Sequence, residues 1–160
     1  FKDKADLFNA MMDRVTLPLE QTLNLTQVEC SSDPVADIRH AMLEALRLIA
    51  TDAQTRRVLY IATHQVEYTE ELGDVQKRRL AVHGECVERN CRRLAQAFAR
   101  QGIAPPVPLE CAAHGLQALV EGLVQRWLFD AQAFDLLHTG RSVIDVYLRG
   151  LGLRSQLGLG

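Results

Sequence analysis

The sequence predicts an all-α chain of about six helices. Three observations carry that reading. No stretch alternates apolar and polar residues with period two, and apolar residues instead recur at i, i+3/i+4 and i+7. Prolines, glycines and capping side chains punctuate the recurring runs. No internal repeat of fixed period is present, and 160 residues are enough for one core.

The first helix starts near Asp3, with Asp6 three residues later in a capping-box arrangement that places acidic groups at the positive helix end. Leu7/Phe8, Met11/Met12, Val15 and Leu19 keep its period, and Pro18 predicts a kink or an early end. A polar loop covers Thr26 to Ser32. Asp33-Pro34 then supplies an N-cap followed by proline at the first helical position. Ile38, Ala41/Met42, Ala45/Leu46 and Ile49 form one buried stripe behind it. Thr51-Asp52 opens a third helix, with Val58, Ile61/Ala62 and Val66 inward.

Thr69 with Glu70 and Glu71 opens the longest helix, which the Gly102 signal stops after Gln101. Its inward stripe reads Leu72, Val75/Gln76, Arg79, His83, Val87, Asn90, Leu94 and Ala97/Phe98. The middle of that stripe is polar, and buried polar groups must find partners. Pro105, Pro106 and Pro108 enforce a loop before a helix that begins near Leu109. Within that helix, Leu116 to Phe129 has an apolar arc wider than one face requires, so burial on two sides is expected. Gln117, Glu121 and Gln125 run through it at every fourth position. After a break over Asp130 to Asp135, a last helix carries Leu136/Leu137, Val143/Ile144, Tyr147 and Leu151, and the glycines from Gly150 onward describe a frayed tail.

Composition narrows the function classes. The chain is 48% apolar and 24% charged with a formal net charge of −2, without the basic excess of a nucleic-acid-binding surface. It has no signal peptide and no apolar run long enough to span a membrane, so a cytoplasmic location is expected. Because the chain opens on Phe1 inside an amphipathic pattern, it reads as a piece of something longer. Cys30, Cys86, Cys91 and Cys111 form no CxxC pair. The first expectation for them is inert buried filler; the alternative, a redox pair of Cys86 and Cys91, faces a helical angle of about 140° between the two side chains.

Motifs for catalysis are absent: there is no GxSxG, HExxH, glycine-rich phosphate loop or zinc spacing. His64 and Glu67 share a helical face but supply two ligands where a metal site needs three or four. Enzyme activity, a metal and a cofactor are therefore not expected. The polar positions on inward stripes leave two readings open. His83, Asn90, Gln117, Glu121 and Gln125 either satisfy one another or reach solvent, or they converge in an apolar small-molecule cavity. Met11, Met12 and Met42 suit a cavity that adapts to different shapes and serve equally as core filler.

The residues also resemble a known family. Phe1-Lys2-Asp3-Lys4-Ala5-Asp6-Leu7-Phe8 is similar to the segment that follows the recognition helix in TetR-family repressors. Three further segments, in order, resemble the AcrR/TtgR branch that controls multidrug efflux pumps. They are Thr55-Arg56-Arg57 leading to His64-Gln65-Val66-Glu67-Tyr68, Gly122-Leu123 leading to Arg126-Trp127-Leu128-Phe129, and Phe134-Asp135-Leu136.

The resemblance implies that residues 1–160 are a C-terminal ligand-binding and dimerisation domain, with a helix-turn-helix DNA-binding domain upstream that this chain lacks. The last two helices would pack on those of a second copy as a four-helix bundle, through Leu123, Trp127, Phe129, Phe134, Val143, Tyr147 and Leu151. By position, the implied drug-pocket wall includes Met12, Thr16, Leu59, Ala62, Thr63, Gln117, Val120, Glu121 and Gln125, to which the stripe reading adds Met42, His83, Val87 and Asn90. Relatives often carry an aromatic at Gln117 and an arginine at Gln125. Both are neutral amides here, so the resemblance brings no ligand charge preference with it. The implied partners are a second copy, a small hydrophobic or aromatic effector, and operator DNA through the upstream domain. The alternative is a dimerisation module with no physiological ligand.

Overall fold

The structure is a computed structural model that describes residues 2–24, 32–64 and 73–155. Among the described residues six helices follow in order: α1 (Lys4–Asn24), α2 (Pro34–Thr51), α3 (Ala53–His64), α4 (Gly73–Gln101), α5 (Leu109–Phe129) and α6 (Leu136–Gly150). No strand occurs among the described residues. The expected opening of α4 at Thr69 to Leu72, the inward Val66 and most of the Thr26 to Ser32 loop lie outside the described residues.

Local chemistry sets the helix ends. The Asp3 carboxylate accepts from the Asp6 amide (2.8 Å) and the Asp6 carboxylate accepts from the Lys2 amide (3.2 Å). Asp33 accepts from Ala36 N ahead of Pro34, Asp52 takes both the amide and the hydroxyl of Thr55, and Asp135 accepts from His138 N. Gly102 (φ 63°) and Gly152 (φ 86°) end α4 and α6 in the left-handed region that glycine enters without strain. The next amides, Ile103 N and Leu153 N, close back onto Phe98 O and Leu148 O.

Two expectations are corrected here. Of the kink or early end expected at Pro18, the early end does not occur: α1 runs on to Asn24. A mid-helix proline removes one N–H, and Val15 and Leu19 on either side hold the helix against the core. Nor does the tail fray over residues 152–155; the rest of the expected frayed tail lies outside the described residues. Leu153 is fully enclosed, Gln101 exchanges two hydrogen bonds with the Arg154 backbone, and the Ser155 hydroxyl donates to Asp33.

The α2 stripe is buried as its period predicts, and it forms the centre of the main core with Leu94, Phe98, Leu116, Ile144 and Leu148. A smaller cluster joins Phe8, Ala62 and Val75, with Met12 against it. α4 packs most extensively on α5, and α2 lies between α6 and α4. Across α2 and α6 the Arg39 guanidinium meets both Asp145 oxygens (2.6 and 3.2 Å), a forked pairing. Across α5 and α6 the Tyr147 hydroxyl donates to the Ala112 carbonyl (2.8 Å). A Cβ at position 115 would stand 2.3 Å from that hydroxyl, so Gly115 is what lets it approach. Burial pushes the Tyr147 phenol up from its ordinary value, with the Cys111 thiol adding to the shift.

Candidate functional site

The tight α4–α5 seam carries a connected line of polar side chains. Asn90 Nδ2 donates to Gln117 Oε1 (3.0 Å), Gln117 Nε2 donates to Glu121 Oε1 (2.8 Å), and His83 Nδ1 meets the same carboxylate oxygen at 3.0 Å. The order of roles follows from one member. A carboxylate only accepts, so Gln117 must turn its NH2 toward Glu121 and its carbonyl toward Asn90. His83 must then present Nδ1–H. The helical spacing makes this line possible: 83 and 90 lie two turns apart on α4, and 117 and 121 one turn apart on α5.

Burial grades along the line. Asn90 is only 3% exposed, while Gln117, Glu121 and His83 are half-buried. The His83 ring also stacks near His114, with centroids 6.3 Å apart. Each member keeps further donor or acceptor capacity beyond these bonds. The line is thus anchored in the core at Asn90 and open toward His83, and it can orient a polar group of a small molecule laid against its open end.

The other expected wall residues divide. Met42 and Val87 are sealed in the main core and Ala62 in the smaller one, whereas Met12, Thr16, Leu59 and Val120 are half-buried. The Thr63 hydroxyl donates to Leu59 O within its own helix. Gln125 is exposed and takes no part in the polar line. Of the metal pair, Glu67 lies outside the described residues, and no group of three metal-ligating side chains occurs among the described ones. Cys86 is half-buried and Cys111 exposed. Burial raises the Cys86 thiol from its ordinary value, partly opposed by Arg89.

The expected interface residues divide too. Phe129 is 72% exposed, and Leu123, Phe134, Val143 and Tyr147 are half-buried. Trp127 and Leu151 are corrected: both are enclosed by the chain's own core, Trp127 at 7% exposure with the Arg56 guanidinium over its ring. The resemblance implies an outward Trp127, but at this end of α5 the side chain turns toward α3, where Arg56 meets its ring. Val146, which sequence reasoning passed over, is 62% exposed. It shares an α6 face with Val143 and Tyr147, so the i, i+3/i+4 rule applied to that second face would have found it.

With this geometry in hand, a profile for the C-terminal region of MAATS-type transcriptional repressors matches residues 33–153. The chain belongs to the MAATS-type transcriptional repressors. That membership bears out the resemblance to TetR-family efflux regulators and the expectation that the chain is not an enzyme. Among curated relatives of this repressor chain, the HTH-type transcriptional regulator TtgR of Pseudomonas putida is 28% identical over 157 residues, covering 98% of this chain and 75% of the relative. The HTH-type transcriptional repressor BepR of Brucella suis is 28% identical over 151 residues, covering 94% and 72%. The crystal structure of NalD, the secondary repressor of the MexAB-OprM multidrug efflux pump in Pseudomonas aeruginosa, superposes with a TM-score of 0.82 at 33% identity, covering 96% of this chain and 76% of that one. No described helix is long and apolar enough to cross a membrane.

Proposed function

We propose that this chain is the effector-binding and dimerisation region of a repressor acting on a multidrug efflux operon, released from operator DNA by a small apolar or aromatic compound. The observation that carries the reading is the Asn90–Gln117–Glu121–His83 line, set between apolar residues such as Val87 and Val120 on the two most closely packed helices. A mostly apolar surface with a few convergent polar groups is the usual anatomy of a small-molecule site. The relation to NalD, a repressor of an efflux pump, supports the operon assigned.

In this reading α1 is the lever. It packs on α2, α3 and α4, so a compound that reorders those helices changes how α1 presents an upstream helix-turn-helix domain to DNA. A difference of about 1–3 kcal/mol in the compound's affinity for the two arrangements changes operator affinity about 5- to 150-fold. The protein works as a cytoplasmic homodimer, through the exposed faces of α5 and α6.

The test is a panel of antibiotics, dyes and plant phenolics, read by thermal melting and by operator binding. At least one compound raises the melting temperature and weakens operator binding. A panel that moves neither leaves the alternative, a dimerisation module without a small-molecule ligand. Gln117→Leu is expected to shift the compound response at least several-fold while the dimer persists in sedimentation. Its stability cost is about 1–3 kcal/mol, because Asn90 loses its buried acceptor. A variant that only fails to fold assigns the line to core packing instead.

A further inference from the structure

Two arginines of α4 stand where a repressor core has no evident use for charge. Arg89 and Arg93 lie one turn apart, 8% and 7% exposed. Arg89 Nη1 is closed off from solvent, and no described residue accepts a hydrogen bond from it. Arg89 also joins none of the ion pairs among the described residues. Arginine cannot shed its proton to escape such a setting, and a buried charge without a counter-charge is strongly unfavourable.

The surroundings say what sign and size of ligand fits. Arg93 sits beside Arg89; burial first, and then the like charge of Arg89, push its guanidinium below its ordinary value, while Asp37 on α2 acts in the opposite sense. Glu20 of α1 and Glu121 of α5 act on neighbouring Cys86. α1 and α2 both pack on α4, and otherwise bring apolar side chains such as Val15, Ile38 and Met42 to the interior. The carboxylates that act on Cys86 and Arg93 disfavour a dianion such as phosphate. A planar guanidinium with an unused edge matches a single carboxylate, which it binds through two parallel hydrogen bonds.

We propose that Arg89, backed by Arg93, is an anion subsite at the junction of α1, α2 and α4 that takes the carboxylate of an acidic aromatic effector. The subsite rests on the reading that the inner helices admit a small molecule, and it adds a ligand charge that the neutral Gln117 and Gln125 do not specify. It occupies a different face of α4 from the His83–Asn90 line.

The experiment compares 1-naphthoic acid with the isosteric 1-naphthamide on the full-length protein by titration calorimetry at low salt. The wild type is expected to bind the acid at least tenfold more tightly than the amide. Arg89→Met is expected to erase that preference by weakening the acid alone, and Arg89→Lys to keep part of it. In anion-free buffer Arg89→Met is expected to melt no lower than the wild type, since it removes an uncompensated charge. Equal binding of acid and amide, or an acid preference that survives Arg89→Met, overturns the subsite while the effector reading stands. A markedly lower melting temperature of Arg89→Met in anion-free buffer overturns it as well, by giving Arg89 a structural role. If neither compound binds and the wider panel is silent, both readings fall together.

Discussion

Val146→Asp is expected to convert the proposed homodimer into monomers. Val146 and Phe129 are the two most exposed apolar side chains of α5 and α6, and the half-buried Leu123, Phe134, Val143 and Tyr147 lie on the same two helices or in the break between them. Each such residue covered by a second copy contributes up to about 1.5–3 kcal/mol of apolar burial. A carboxylate placed there loses that contribution and must also be desolvated without a partner, at several kcal/mol more. Because a twofold interface presents the substituted position twice, the loss is doubled. Sedimentation velocity reads the result directly, and an undisturbed dimer sinks the interface assignment. Leu80→Asp is the control: that leucine is equally exposed but lies on α4, so the dimer should survive it. Trp127→Asp does not make a comparable test, because Trp127 belongs to the chain's own core and its charge variant unfolds the monomer.

The second large effect lies where α6 crosses α2. A Cβ at position 140 would stand 2.4 Å from Leu46 Cδ1, and Leu46 is fully enclosed with no room to turn aside. Gly140→Ala is therefore expected to cost about 1–3 kcal/mol through overpacking, despite the better helix propensity of alanine. Leu46→Ala alone should cost about 2–5 kcal/mol through the lost contacts and the cavity left behind. In the double variant the new methyl enters the space that Leu46 vacates, so urea unfolding should show a loss clearly smaller than the sum of the two. Strict additivity would mean that the two side chains do not compete for one space, and that the close α2–α6 crossing is set by something else.

Much of this molecule was legible in advance, for reasons that differ by element. α2 was read almost residue for residue, because Asp33-Pro34 is a strong start signal and its stripe faces one core throughout. α5 was harder. Its apolar arc announced two buried faces, but periodicity is a property of one helix and says nothing about which neighbour fills which face. Trp127, which the resemblance assigns to the interface, is enclosed by the chain's own core, and Val146 on α6 was missed because Val143/Ile144, Tyr147 and Leu151 already accounted for a stripe. Pro18 does not end α1, since a single lost N–H is a local penalty that packing on both sides outweighs.

The candidate site divides in the same way. Residue types and spacing alone singled out His83, Asn90, Gln117 and Glu121, because polar side chains on an inward stripe must find partners. Which of them meet was a matter of how α4 lies against α5, and that depends on side chains more than twenty residues apart in the chain. Gln125 keeps the same spacing but is exposed and falls outside the line. Arg89 and Arg93 carried no signal at all. Arginine on a long helix is usually a solvated face, and only the approach of α1 and α2 encloses them. The sequence by itself therefore determined the helices, most of their capped ends and the family, since these rest on local capping, period and motif. Tertiary structure alone decided which polar groups touch and which charge is buried, because burial is a property of neighbouring helices and not of any one of them.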